Sequence, residues 1–483
     1  MRKKLCVLLA VLIACVPWFF GGCASDAKEL DEYTIDAEYE DGVLTAEQEV
    51  RFYNRSPEAW EYVEFNLFGN AWREGASPSP VPQGFSASAY YAGKSYGQMQ
   101  ILSAEGEGVS DWEIAGQDEN ILRVHFREPL GAGDEAVVAI RFSLTLARVN
   151  HRTGIARRSV NLGNFYPVLC VWEEGDFAEC TYESCGDPFY SACADYRVTF
   201  TADAEYTVAA SGRCLSAEEE GGRKRYEYAL ENARDFALVL GREYELLQAD
   251  AEGVQVMYLS YSDQDAAATL AVLCEAITYF SHTFGRYPYK TYTAVQTGFC
   301  FGGMEYPALV MLSDAVSGKE LFYTAVHETA HQWWYAAVGS DQRTYAWLDE
   351  GLAEYSSALF FGAHEGRGFT FSSLLSGARS AYNAYCTVQE KLCGEADTRM
   401  DRPLSSYGGE LAYVNIAYNK GMLLFDSLRA AVGEKRFTAG LRRYFSDFSG
   451  KIARPEDLAA SFSGKAGAAA DVIRAYTEGR TQL

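Results

Sequence analysis

The sequence predicts two folded modules, an all-β N-terminal one built of packed sheets and a mainly α-helical one carrying a small sheet. Three observations lead there. The chain has 483 residues, room for two or three domains. Its 48% hydrophobic and 22% charged content is that of a folded globular protein. From Tyr33 to about Leu247 short alternating segments are broken by turn residues, whereas beyond about Asp250 the apolar period lengthens to that of helices.

In the first module, Leu44 to Phe52, Ile121 to Phe126, Ala136 to Leu146 and Tyr196 to Phe200 read as strands. Asn54-Arg55-Ser56-Pro57 and Gly131-Ala132-Gly133 are the punctuation between them, and Ser77 to Pro82 is an internal loop. A sandwich-like packing of sheets follows from this pattern. In the second module a short strand (Val254, Val256, Tyr258) precedes a helical run from Asp263 to Phe284 and a strand from Tyr292 to Val295. Leu321 to Val338 is apolar almost all round, which predicts a buried helix, with Ser317 and Glu320 as a capping box and Gly339 as its stop. Helical periodicity returns at Tyr418 to Ala431 and Glu434 to Phe445. The expected boundaries are 1–22 for a processing segment, 23–249 for the β module and 250–483 for the helical one.

The processing segment rests on a basic start, Arg2-Lys3-Lys4, and an apolar run from Leu5 to Phe20 that is short for a membrane span. Phe20-Gly21-Gly22-Cys23 resembles the lipobox of bacterial lipoproteins, with Cys23 as the lipidated residue. Leu12-Ile13-Ala14-Cys15 is the alternative, and simple secretion is a third. The expectation is a bacterial cell-envelope protein, extracytoplasmic and lipid-anchored to a membrane. No second apolar run approaches membrane-spanning length. The net charge of −24 argues against a nucleic-acid partner, which requires a basic surface. The nine cysteines after Cys23 are an odd set whose pairing spacing does not reveal.

His327-Glu328-Thr329-Ala330-His331 carries the chemistry, together with Glu350 in Trp347-Leu348-Asp349-Glu350-Gly351. Histidines four apart share one helix face. Two neutral imidazoles and a carboxylate from the next helix can hold one Zn²⁺ while leaving a coordination position for water. Burying two histidines and a glutamate in an apolar helix is costly without strong partners. A single satisfied core histidine does not account for the set.

Two further strings complete a resemblance: Gly302-Gly303-Met304-Glu305-Tyr306-Pro307 and Tyr418-Asn419-Lys420-Gly421. With the His-Glu-x-x-His and Trp-Leu-Asp-Glu strings, in this order and spacing, the chain resembles the aminopeptidase N family of gluzincin metallopeptidases. The resemblance implies a β-saddle domain followed by a thermolysin-like catalytic domain, with one zinc held by His327, His331 and Glu350. It implies Glu328 as general base, Glu305 as the group binding the substrate's free α-amine, Gly302 and Gly303 as the edge strand that holds the peptide, and Tyr418 as the oxyanion partner. Glu354, one turn beyond Glu350, is expected to orient a ligating histidine from behind. Tyr306 stands where the family usually has Asn, Asn419 where it has Glu and Asp349 where it has Asn, which points to altered specificity or rate rather than lost chemistry. The resemblance leaves the second amine-binding residue unplaced, with Asn161 to Pro167 near the expected region, and it implies that the family's large C-terminal helical domain is missing and the site more open.

The function expected is therefore zinc-dependent removal of the N-terminal residue from peptides with a free N-terminus. The alternatives are a zinc endopeptidase on the same fold and a catalytically silent peptide-binding lipoprotein.

Overall fold

A computed structural model describes residues 30–479. The expected signal segment, Cys15 and Cys23 lie outside the described residues.

The N-terminal module is built on strands that alternate buried and exposed positions. Asp31–Glu40 buries Tyr33, Ile35, Ala37 and Tyr39 in strict alternation, as a half-buried strand must. It is the centre of a seven-stranded sheet, paired antiparallel with Val43–Tyr53 and parallel with Ala194–Asp203, where Tyr33 faces Tyr196. A four-stranded sheet containing Trp60–Asn66 lies against it, Phe52 and Phe65 meeting edge to face at 6.4 Å. A second four-stranded sheet carries Ser159–Leu162 and Leu238–Gly241 toward the other module.

The helical module is organised by one five-stranded sheet in the order Glu245–Ala251, Val254–Ser260, Thr291–Thr297, Leu309–Ser313, Gly303–Met304. Its first strand straddles the 249/250 boundary expected from the change in texture. Thr291–Thr297 is buried at every position, because the sheet is covered on both faces. Gly303–Met304 is the edge strand, held antiparallel to Leu309–Ser313. One apolar core runs continuously through both modules, which fixes the β module against the site.

The helix carrying His327 and Glu328 spans Gly318–Ala330 and is called the His helix below. It is shorter than the apolar pattern predicts. Ser317 is at its N-cap without a side-chain bond, so the expected capping box is not formed. After Ala330 the chain leaves the helix in wide turns, with Ala336 N–H bonded to the His331 carbonyl at 2.9 Å and Val338 N–H to that of Trp333 at 3.0 Å. The two indoles explain the exit: Trp333 donates to the Gly285 carbonyl at 2.8 Å and Trp334 to Ser356 Oγ at 2.9 Å. The apolar run is buried, but from turns. After a single helical turn at Gln342–Tyr345, the long helix Trp347–Ala363 bears Glu350 and Glu354 and is called the Glu helix.

Candidate active site

The exit from the His helix frees the Trp334 carbonyl, which stands 3.0 Å from Nδ1 of His331. That contact turns His331 Nε2 toward His327 Nε2, 3.0 Å away. Glu350 Oε2 completes the group at 3.3 Å from His327 Nε2 and 3.2 Å from His331 Nε2. Donors of a tetrahedral zinc ion, each about 2.1 Å from it, stand about 3.4 Å apart. The triad fits that spacing, and Glu350 Oε2 is buried with no hydrogen-bond partner, as an atom awaiting a cation would be. Burial alone would raise the Glu350 carboxyl, but the imidazoles of His331 and His327 hold it well below the usual carboxylate range. Glu305, Glu328 and His331 also come within ligand distance of each other. With Nδ1 of His331 facing Trp334, only its Nε2 can serve an ion, and the group containing both histidines and the unpartnered Glu350 oxygen takes precedence.

Glu354 Oε1 lies 3.0 Å from His327 Nδ1, a charge contact rather than an aligned hydrogen bond. Its other oxygen accepts the Tyr323 hydroxyl at 2.6 Å.

Two glycines let the catalytic side chains meet. A Cβ on Gly303 would lie 2.3 Å from Glu328 Oε1, so only glycine lets the edge strand pass beside that carboxylate. Gly302 has no such restriction. Where the Glu helix crosses Gly421–Val432, a Cβ on Gly351 would meet Gly421 Cα at 2.9 Å. This close crossing brings the preceding segment, Val414–Lys420, onto Glu350. That segment is a wide π-helical stretch, so the regular helix expected from Tyr418 begins only at Gly421, and such stretches are frequent at functional sites. From it Tyr418 donates to Glu350 Oε1 at 2.5 Å and stacks on His327 with ring centroids 5.7 Å apart. Tyr413, which the sequence reading did not single out, reaches the same oxygen at 3.5 Å.

Glu328 and Glu305 are 5% and 4% exposed, and burial pushes both carboxyls up to about 7, against the opposing pull of the nearby histidines. Glu305 Oε1 has no hydrogen-bond partner. A charged group held this way is suited to a cationic or proton-bearing ligand.

The departures have structural roles. Tyr306 donates to Asn164 Oδ1 at 2.7 Å and its ring leaves no room for a Cβ on Gly163. Asn161 to Pro167 therefore buttresses the edge strand from behind and does not line the cleft. Asp349 Oδ1 accepts the Glu350 N–H at 2.8 Å. Asn419 donates to Asn415 within its own segment at 3.2 Å. The cleft beside the triad, about 450 Å³, is instead completed by Phe85, Arg152 and Asp187 of the β module and by Glu410, none of which spacing or periodicity marked.

One histidine on the last turn of the His helix, a second at its C-cap, a glutamate from the Glu helix and the buried carboxylate of Glu328 make the metal-site architecture of the His-Glu-x-x-His zinc hydrolases. Comparison with known proteins narrows the class. Residues 268–476 match the Peptidase family M1 domain. Leucine aminopeptidase 2 of Aspergillus niger is 26% identical over 155 residues, 32% of this chain and 25% of that protein. Aminopeptidase M1-A of Oryza sativa subsp. japonica is 24% identical over 371 residues, 72% of this chain and 41% of that protein. The M1 zinc metallopeptidase of Deinococcus radiodurans shares the fold, with a TM-score of 0.65 at 18% identity over 94% of this chain and 95% of that one. The helical module thus carries a peptidase family M1 domain, and the two-domain fold is that of an M1 zinc metallopeptidase. The chain spans 25% of the length of the first of these curated relatives.

Proposed function

We propose that the protein is a zinc aminopeptidase that hydrolyses the first bond of peptides with a free N-terminus, using one zinc ion held by His327, His331 and Glu350. When bound, zinc supplies Lewis acidity toward the scissile carbonyl and brings the pKa of a water to about 7. The rest is done by the chain's own side chains. Glu328, raised toward neutrality by burial, takes the attacking water's proton and passes it to the leaving amine. The Tyr418 hydroxyl, poised on Glu350 Oε1, turns to the oxyanion as charge develops there. The unpaired side of Gly303–Met304 holds the substrate backbone as an added strand.

The observation that carries the exopeptidase reading is the buried carboxylate of Glu305 at the end of that strand, whose Oε1 has no hydrogen-bond partner among the described residues. Zinc and Glu328 would cut any bond presented to them; an anion that fixes the substrate's ammonium group restricts cleavage to the first. A related structure from Deinococcus radiodurans holds a Tyr-Ser-Ala substrate, which supports a peptide as ligand here. A charge-assisted hydrogen bond is worth about 1.5–3 kcal/mol, so Glu305→Ala should lose about ten- to a hundred-fold in kcat/KM on free-amine peptides. Equal losses on blocked peptides would show that Glu305 does not read the amine.

The reading includes export and a lipid anchor at Cys23, supported by the basic start and apolar run before it. Among the described residues no helix is long and apolar enough to cross a membrane. Cys23→Ser should release the protein from membranes with its specific activity intact, and continued retention would count against Cys23.

A further inference from the structure

The cleft holds more charge than the reaction uses. Asp187 and Glu410 line it beside Glu305, Glu328 and Glu350, and neither has a part in the chemistry proposed above. Asp187 is answered by Arg152, the only Lys or Arg lining the cleft among the described residues, which hydrogen-bonds its Oδ1. The same guanidinium donates to the Gly186 carbonyl at 3.1 Å and the Tyr182 hydroxyl at 3.3 Å. Arg152 is thus occupied and offers nothing to an anionic substrate group.

Glu410 is different. Among the described residues its Oε2 is buried with no hydrogen-bond partner, like Oε1 of Glu305 in the same cleft. Burial pushes its carboxyl up to about 7, a penalty that a cation would relieve. Glu410 from the helical turn Glu410–Tyr413, and Val414 and Tyr418 from the π-helical stretch that follows it, all line the cleft, so this stretch of chain presents a carboxylate, an apolar wall and the oxyanion hydroxyl. Eight residues at the α-helical rise would span about 12 Å, and the wider π-helical stretch from Val414 on shortens that span toward about 10 Å. An extended arginine reaches about 7 Å from its carbonyl carbon to its guanidinium, and one hydrogen bond adds about 3 Å. A substrate with its scissile carbonyl at Tyr418 would therefore run such a side chain past Val414 to Glu410. Long cationic side chains bind in this way, with an apolar stem along an apolar wall and the charge at the tip.

We propose that Glu410 makes the enzyme selective for peptides whose N-terminal residue is lysine or arginine, with Val414 along the aliphatic stem and the Glu410 carboxylate on the cationic tip. The proposal rests on the aminopeptidase reading and sharpens it to a substrate class.

The test compares kcat/KM of the zinc-loaded full chain on free-amine peptides that differ only in the first residue: arginine against citrulline, and lysine against norleucine. Wild type should favour the charged member by about ten- to a hundred-fold. Glu410→Gln should bring both ratios close to one, and Glu410→Asp should restore part of the preference. Each ratio is internal to one preparation, so incomplete folding of a variant cancels. Equal cleavage of arginine and citrulline by wild type, or a ratio that survives in Glu410→Gln, overturns the proposal and leaves the aminopeptidase reading standing. Cleavage of none of the free-amine peptides overturns both.

Discussion

Glu354 offers a test of the metal site that does not depend on turnover. Its two oxygens act separately, one 3.0 Å from His327 Nδ1 and the other accepting the Tyr323 hydroxyl at 2.6 Å. Glu354→Ala removes the charge that holds the His327 ring with Nε2 toward the triad. Loss of such a partner behind a ligating histidine typically weakens metal binding by about ten- to a hundred-fold, or about 1.4–2.7 kcal/mol. Tyr323→Phe removes one hydrogen bond to a carboxylate that acts only through Glu354, so its effect should be smaller, about three- to tenfold. The two changes are in series, and the double variant should bind zinc no more weakly than Glu354→Ala alone. Competition with a chromophoric chelator, on protein whose fold is checked by circular dichroism, gives the zinc Kd directly. A Glu354→Ala protein within twofold of wild type, or a fully additive double variant, would refute the reasoning.

Three further outcomes are expected. Glu328→Gln should bind zinc as wild type does yet lose at least about a thousandfold in kcat, since it supplies a proton acceptor and no ligand; retained activity would reassign the base. Tyr418→Phe should lower kcat by about 10²–10³ with little change in KM, because its useful contact forms in the transition state, and an unchanged kcat would return it to a packing role. Glu410→Gln should alter the pH dependence of stability. Its carboxyl sits near 7 in the native state against 4.5 ordinarily, so the native state holds that proton more tightly than the unfolded chain. The resulting stabilisation is intact below about pH 4.5 and is lost as pH rises through about 7, so Gln should gain on wild type in urea midpoint across that window; a difference that stays flat with pH would contradict it.

The candidate metal triad was legible because its information is local: His327 and His331 share a helix face by spacing alone, and eighteen residues separate His331 from Glu350. Helix ends were less legible. Trp333, Trp334 and Val338 continue the apolar pattern of the His helix, yet the two tryptophans are buried from turns, where their indole N–H groups find acceptors off the helix axis, and Val338 from a two-residue strand. Periodicity also cannot separate a π-helical stretch from a regular helix, so the conformation that carries Tyr418 to Glu350 could not be read. Arg152, Asp187 and Glu410 were invisible for another reason. They come from three separate stretches of chain and are ordinary charged residues in each; Arg152 and Asp187 pair within the β module, and they join Glu410 only when that module packs on the helical one.

The central claim is cleavage of the first bond only, directed by the substrate's ammonium group. The most direct measurement incubates the zinc-loaded protein with one peptide in free and N-acetylated forms and follows the products by mass spectrometry. The account predicts stepwise release of single residues from the N-terminus of the free peptide and little or no cleavage of the acetylated one. Internal fragments, or equal cleavage of both forms, would contradict it and make the protein an endopeptidase on the same fold.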